Sequence, residues 1–157
     1  MKLFKYVIPL LFTFSIFFFS CGRPALLDEH REVNKKGWKA GDKIKLEVVV
    51  TDTNKLYDFY FDVRNTVDYP NMNVFFFITT TFPNGQKAKD TLECMLADLE
   101  GKWLGEGWGK IKSNRILFKN RIRFPMTGTY QFEIEHAMRY MMLTEITDIG
   151  LRIVESK

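Results

Sequence analysis

At 157 residues the chain is long enough for one domain with a real hydrophobic core. The formal charge of +4 is modest and includes Lys2 and Lys5 at the N-terminal extreme, so the basic pI gives no reason to expect a nucleic-acid partner. With two cysteines, Cys21 and Cys94, a disulfide-stapled scaffold is excluded once Cys21 is otherwise engaged.

Met1 to Lys5 carries two lysines and no acid, and Tyr6 to Phe19 is then almost wholly apolar. A run of about fourteen apolar residues is short for a bilayer span and suits the core of a secretory signal. Ser20, a small residue, precedes Cys21, and no small-x-small cleavage site is evident before it. Residues 1–20 therefore read as a lipoprotein signal peptide with a covalent lipid on Cys21, an uncleaved N-terminal anchor being the alternative. Each buried methylene contributes about 0.8 kcal/mol, so an anchor of several acyl chains would hold the domain on a membrane face.

Residues 21–37 are expected to be a tether. Arg23-Pro24 interrupts regular structure, and Asp28-Glu29-His30-Arg31-Glu32 offers little to bury. Trp38 and Gly41-Asp42 introduce the first predicted strand, in which Ile44, Leu46, Val48 and Val50 alternate with polar residues. Tyr57, Phe59, Phe61 and Val63 repeat that pattern after a turn at Thr51 to Asn54. Val74 to Thr81 is apolar on both sides and reads as a central strand covered on both faces. Pro83-Asn84-Gly85 is a turn signal, and Ala88 to Leu96 returns as a strand.

The C-terminal part reads as a hairpin about Pro125-Met126-Thr127-Gly128. Pairing Phe124 with Tyr130 would set Arg121 opposite Glu133 and Lys119 opposite Glu135. Tyr140 to Thr147 reads as a helical crossover or an irregular connection, and Asp148 to Val154 as the closing strand. Seven or eight short strands joined by Gly, Pro and Asn turns predict an all-β fold. The expected architecture is one antiparallel β-sandwich over residues 38–157, either jelly-roll or immunoglobulin-like.

Little in this pattern carries chemistry. Gly101, Gly105, Gly107 and Gly109 lack the Gly-Lys-Ser/Thr ending of a phosphate loop and read as tight turns. Cys94 shares a strand face with Leu92 and Leu96 and reads as a buried, inert thiol. His136 reads as a hydrogen-bonded core residue, and too few ligands accompany either histidine to suggest a metal. No serine sits in a nucleophile elbow, so no catalytic residue is assigned. Two features are candidate contacts for a partner or a glycan. One is the basic row Arg115, Lys119, Arg121 and Arg123; the other is the pair Trp103 and Trp108.

Several stretches carry a family resemblance. They are Leu96-Ala97-Asp98-Leu99-Glu100-Gly101-Lys102-Trp103-Leu104-Gly105, Phe124-Pro125-Met126-Thr127-Gly128-Thr129-Tyr130, Ala137-Met138-Arg139 and Asp148-Ile149-Gly150-Leu151-Arg152-Ile153. With Tyr69-Pro70-Asn71 and the cysteine of the signal, their order and spacing resemble the gliding motility lipoprotein GldH family of Bacteroidota. The resemblance implies an envelope lipoprotein associated with gliding and the type 9 secretion apparatus, without enzymatic activity. Only Cys21 carries over as a functional position, for lipidation, and no cofactor is implied beyond that lipid. The implied partners are the membrane and envelope proteins of the gliding or secretion machinery. No acidic pair follows Cys21, which would resemble a surface-export signal, so a periplasmic orientation is expected. The alternative expectation is a β-sandwich that binds envelope glycan or peptidoglycan.

Overall fold

A computed structural model describes residues 24–157; the signal peptide and Cys21 lie outside the described residues. The strands are β1 (Ala25–Glu32), β2 (Trp38–Lys39), β3 (Ile44–Val50), β4 (Leu56–Thr66) and β5 (Asn73–Thr81). They continue as β6 (Lys87–Met95), β7 (Ile111–Arg123), β8 (Gly128–His136), β9 (Met142–Leu143) and β10 (Ile146–Glu155). Among the described residues there is no helix.

Two antiparallel sheets face each other, ordered β1-β10-β4-β7 and β3-β8-β5-β6, with β2 and β9 forming a small third pair. Apart from the β5–β6 hairpin, successive strands of the two large sheets alternate between them, and the first strand pairs with the last. That order is a jelly roll, so the immunoglobulin-like alternative falls away. The period-two pattern puts Phe59, Phe61 and Val63 of β4 inward, opposite Phe76, Phe132 and Ile134 of the other sheet. Phe61 meets Phe76 at 4.9 Å and Phe59 meets Phe132 at 6.3 Å between ring centroids. Burying each such ring contributes about 1.5–3 kcal/mol.

Three expectations need correction. Residues 25–32 are strand β1, not tether: seven of their residues pair with β10, and Leu27 and Val33 enter the core. The C-terminal hairpin is absent. Strand β7 pairs with β4 in one sheet, whereas β8 pairs with β3 and β5 in the other. The turn crosses between sheets because Tyr130 Oη donates to Met126 O at 2.9 Å, and Phe124 stacks on Tyr130 at 4.7 Å across the core. Glu133 consequently meets Lys43 and Lys45, and Glu135 meets Lys89. Finally, β5 is an interior strand, but its outer face is only half covered. There the Lys89 ammonium lies 3.8 Å from the Phe77 ring. Tyr140 to Thr147 takes the irregular course, containing β9.

Candidate functional site

The outer face of the sheet β1-β10-β4-β7 is built in rows by the strand register. One row runs His30, Gly150, Asp62, Arg115 across the four strands. The rows on either side run Asp28, Arg152, Tyr60, Leu117 and Glu32, Asp148, Arg64, Ser113. Alternation within each strand turns these residues away from the core, and the register then places opposite charges side by side.

Asp62 is only 6% exposed. Both its oxygens accept from Arg115, from Nε at 2.7 Å and Nη2 at 2.8 Å, a bidentate pair. That hydrogen bond, with Asp62's charge, holds the guanidinium above its ordinary pKa. His30 Nε2 lies 3.4 Å from Asp62 Oδ2 and 3.8 Å from Asp28 Oδ1, and Nδ1 lies 3.9 Å from Asp148 Oδ1. The imidazole lies flush because residue 150 is glycine. A Cβ there would sit 2.5 Å from His30 Nδ1. Arg152 engages Asp28, and Arg64 lies 3.5 Å from Asp148.

The ligand atoms of Asp28, His30 and Asp62 lie within 4.8 Å of one another, a spacing that would suit a cation. The donor set does not fit one. Both Asp62 oxygens are occupied by Arg115, and Asp28 by Arg152. A cation would have to displace two arginines from their carboxylates. The cluster is therefore an ion-pair lattice.

Beside it opens a cavity of about 670 Å³, bounded by His30, Asp62, Arg64, Glu106, Asn114 and Arg115, with Leu104 and Met95 on its rim. One wall is formed by residues 104–106 of the segment 96–110. Leu96 and Ala97 donate backbone N–H bonds to Met72 O, and Leu104 donates to Leu96 O at 2.9 Å. Glu106 and Ser113 exchange backbone bonds at 2.9 and 2.7 Å. Gly105 allows this closure, since a Cβ there would lie 2.8 Å from the amide of Asn114. Asn114 in turn donates to Asn65 Oδ1 at 3.1 Å in the sheet interior.

The structure separates the residues singled out from sequence. Trp103 is half-buried and packs on the core, whereas Trp108 is fully exposed between Gly107 and Gly109, both with positive φ. The four basic residues do not make one row. Arg115 binds Asp62, and Lys119 binds Asp90 of β6 at 2.7 Å, joining the sheet edges. Arg121 has φ 54°, donates its N–H to Asp58 Oδ1 at 2.9 Å and reaches Lys157 O at 2.8 Å. The cause is the pair of register shifts flanking Phe59, which breaks the strict alternation of β7. Cys21 lies outside the described residues.

Sequence reading missed Asp62, Asp28, Arg152 and Asp148. The available signal was Tyr60-Asp62-Arg64 on the polar side of a long strand. Their partners are distant in sequence and could not be named. Nothing in this face is poised for nucleophilic chemistry. Ser113 Oγ accepts from Arg64 Nε at 3.1 Å, and Cys94 is in the core, where burial pushes its thiol up to about 12. His136 is also in the core, as expected, with its ring edge-on to Trp38 at 5.7 Å between centroids.

A family model described as GldH lipoprotein matches residues 25–153, from the start of β1 into β10. A gliding motility lipoprotein GldH homolog of Christiangramia forsetii is 32% identical over 154 residues, covering 93% of this chain and 94% of its own. The gliding motility lipoprotein GldH of Flavobacterium johnsoniae is 30% identical over 146 residues, covering 88% and 90%. Among solved structures, a family GH115 4-O-methyl-alpha-glucuronidase aligns with 88% of this chain at TM-score 0.45 and 13% identity. The chain spans only 18% of that enzyme's length. Dimeric latent PorU of Porphyromonas gingivalis aligns with 87% at TM-score 0.35 and 8% identity, over 14% of its length. Neither structural likeness carries an argument about function.

Proposed function

The chain belongs to the GldH lipoprotein family, and from this we propose that it is a lipid-anchored, non-enzymatic component of a gliding machinery associated with type 9 secretion. The family's lipoproteins are membrane-anchored in the cell envelope. In this reading Cys21 carries the lipid, the domain faces the periplasm, and the jelly roll acts by docking other envelope proteins. The observation that carries it is the family match over the whole two-sheet body, together with the Ser20-Cys21 signal. The occupied carboxylates, the inaccessible Cys94 and the core position of His136 support a binding role over a catalytic one.

Radiolabelled palmitate fed to the native host tests the anchor. Wild type should take up label and sediment with membranes, and Cys21→Ala should do neither. Unchanged labelling in the variant would refute lipidation at this residue. Deleting the gene tests the machinery. Spreading and adhesin secretion should both fail, and normal behaviour in both would remove the proposal.

A glycan-binding module is the second reading, favoured by the exposed Trp108 indole and the polar cavity walled by the same segment. Co-sedimentation of the protein with purified peptidoglycan, lost in Trp108→Ala, would support it. No co-sedimentation would eliminate it.

A further inference from the structure

The strand registers tie one end of the sandwich to the anchor. Ala25, the first residue of β1, lies beside Val154 of β10, close to Tyr57 of β4 and Ile122 of β7. The second sheet brings its turns to the same end. Val50 pairs with Gly128, and a Cβ on Gly128 would lie 2.8 Å from Pro83. A cleft bounded by Ala88, Ile122, Arg123 and Pro125 joins the two sheets there. Cys21 precedes Ala25 by four residues, a reach of about 14 Å when extended. Ala25 is held in the β1–β10 ladder, so a lipid on Cys21 keeps this end within that distance of the bilayer. The opposite end is under no such constraint, since the 13 residues of β7 put it roughly 40 Å away at ~3.3 Å per residue.

The anchored end is basic. Lys87 opens β6 and Arg121 and Arg123 close β7, all three exposed, and Arg23 lies in the link itself. Lys87 and Arg123 meet no carboxylate among the described residues. The neighbouring bases are already paired, Lys55 with Glu155 at 2.8 Å and Lys119 with Asp90 at 2.7 Å. Two acids remain here, and both are bonded within the protein. Asp52 accepts from Asn54 N, and Asp58 accepts from Arg121 N and Ser156 Oγ. At the other end the segment 96–112 balances Asp98, Glu100 and Glu106 against Lys102, Lys110 and Lys112.

We propose that this basic end is a second membrane contact, in which Lys87, Arg121 and Arg123 bind headgroup phosphates of anionic lipids in the bilayer that holds the anchor. Ile122, 38% exposed between the two arginines, then enters the headgroup layer. The inference rests on the anchor reading above and adds a protein-made contact to the lipid. Two observations choose the bilayer as the occupant. The link is short, so this end cannot leave the membrane surface. Its charge is the sign that anionic headgroups attract, and Arg forks match phosphate oxygens in pairs. The reach of the link is comparable to the ~8 Å over which that attraction acts at physiological salt. A second copy would present the same basic end and be repelled. With this contact made, the sandwich stands upright on the membrane.

The test uses the full-length protein, extracted with its anchor from native membranes. It is reconstituted into phosphatidylcholine vesicles with or without phosphatidylglycerol, with a nitroxide on some headgroups as quencher. A fluorophore is attached at Thr127→Cys, in the turn beyond Arg123, or at Glu100→Cys at the opposite end; Cys94 is buried and does not compete. The Thr127 label should be quenched in vesicles containing phosphatidylglycerol, and the Glu100 label should not. Lys87→Glu with Arg123→Glu should shift the balance of quenched and unquenched forms by about tenfold or more, as should high salt. Because both residues are exposed, the thermal midpoint should not move. Thr127 quenching that is equal without phosphatidylglycerol, or indifferent to charge reversal, would overturn the proposal. So would equal quenching at Glu100, or Thr127 labels that quench one another in a second copy. Protein that does not sediment with vesicles would refute the anchor. Protein that sediments without quenching at Thr127 would refute this contact alone.

Discussion

Gly150 and His30 meet in one tight contact that fixes how an imidazole lies on a sheet. A Cβ at residue 150 would come within 2.5 Å of the imidazole and 2.9 Å of the Glu29 carbonyl. The ring can move; the carbonyl belongs to the β1–β10 ladder and cannot move freely. Gly150→Ala should therefore destabilise by about 1–3 kcal/mol, the usual range for overpacking. Adding His30→Ala should recover only part of this, and urea unfolding of the two single variants and the double would measure that coupling. Full recovery would mean that the backbone contact is immaterial. His136 makes a second prediction. Burial lowers its pKa below the ordinary 6.5, outweighing the Trp38 backbone, Glu135 and Asp42, which act the other way. As pH falls through 6.5, the unfolded chain binds a proton that the folded chain refuses, so stability must fall. Wild-type stability should decline between pH 7 and 5 more steeply than that of His136→Phe. Parallel slopes would show that His136 is not the group responsible. At this scale the inert Cys94 was legible from its apolar strand neighbours. Asp62 was not, because a buried carboxylate is made tolerable by an arginine 53 residues away.

The elements were legible where one face is apolar and the next polar, as in β3, β4, β8 and β10. Strand β1 was read as tether because its charged residues lack that alternation. Only the assembled sheet supplies Arg152 for Asp28 and a glycine bed for His30. The false hairpin had a related cause. A local turn signal at Pro125 to Gly128 is equally compatible with returning to the same sheet or crossing to the other. The choice was made by ring packing of Phe124 on Tyr130, which no local pattern encodes. Leu27 gives a direct check on β1. It is 6% exposed and packs into the core. Leu27→Ala should lower stability by about 2–3 kcal/mol, near the low end for a core leucine because the site is at the rim. A tether residue would give no change, so an unaltered denaturant midpoint would contradict the strand's place in the core.

For the whole molecule, the pairing of first strand with last decides how much chain a soluble domain needs. Residues 38–157 satisfy the sequence-based expectation of the domain but omit β1. Without it, β10 becomes an edge with open backbone groups, and Leu27 and Val33 leave the core. The outer charge rows lose Asp28 and His30 at the same time, leaving Arg152 without its carboxylate. A chain beginning at residue 24 should therefore unfold in one cooperative transition. One beginning at residue 38 should be aggregation-prone, or should unfold at a clearly lower denaturant concentration and over a broader range. The family match begins at residue 25, in agreement with a body that includes β1. Equal midpoints and slopes for the two chains would mean that β1 is a dispensable appendage.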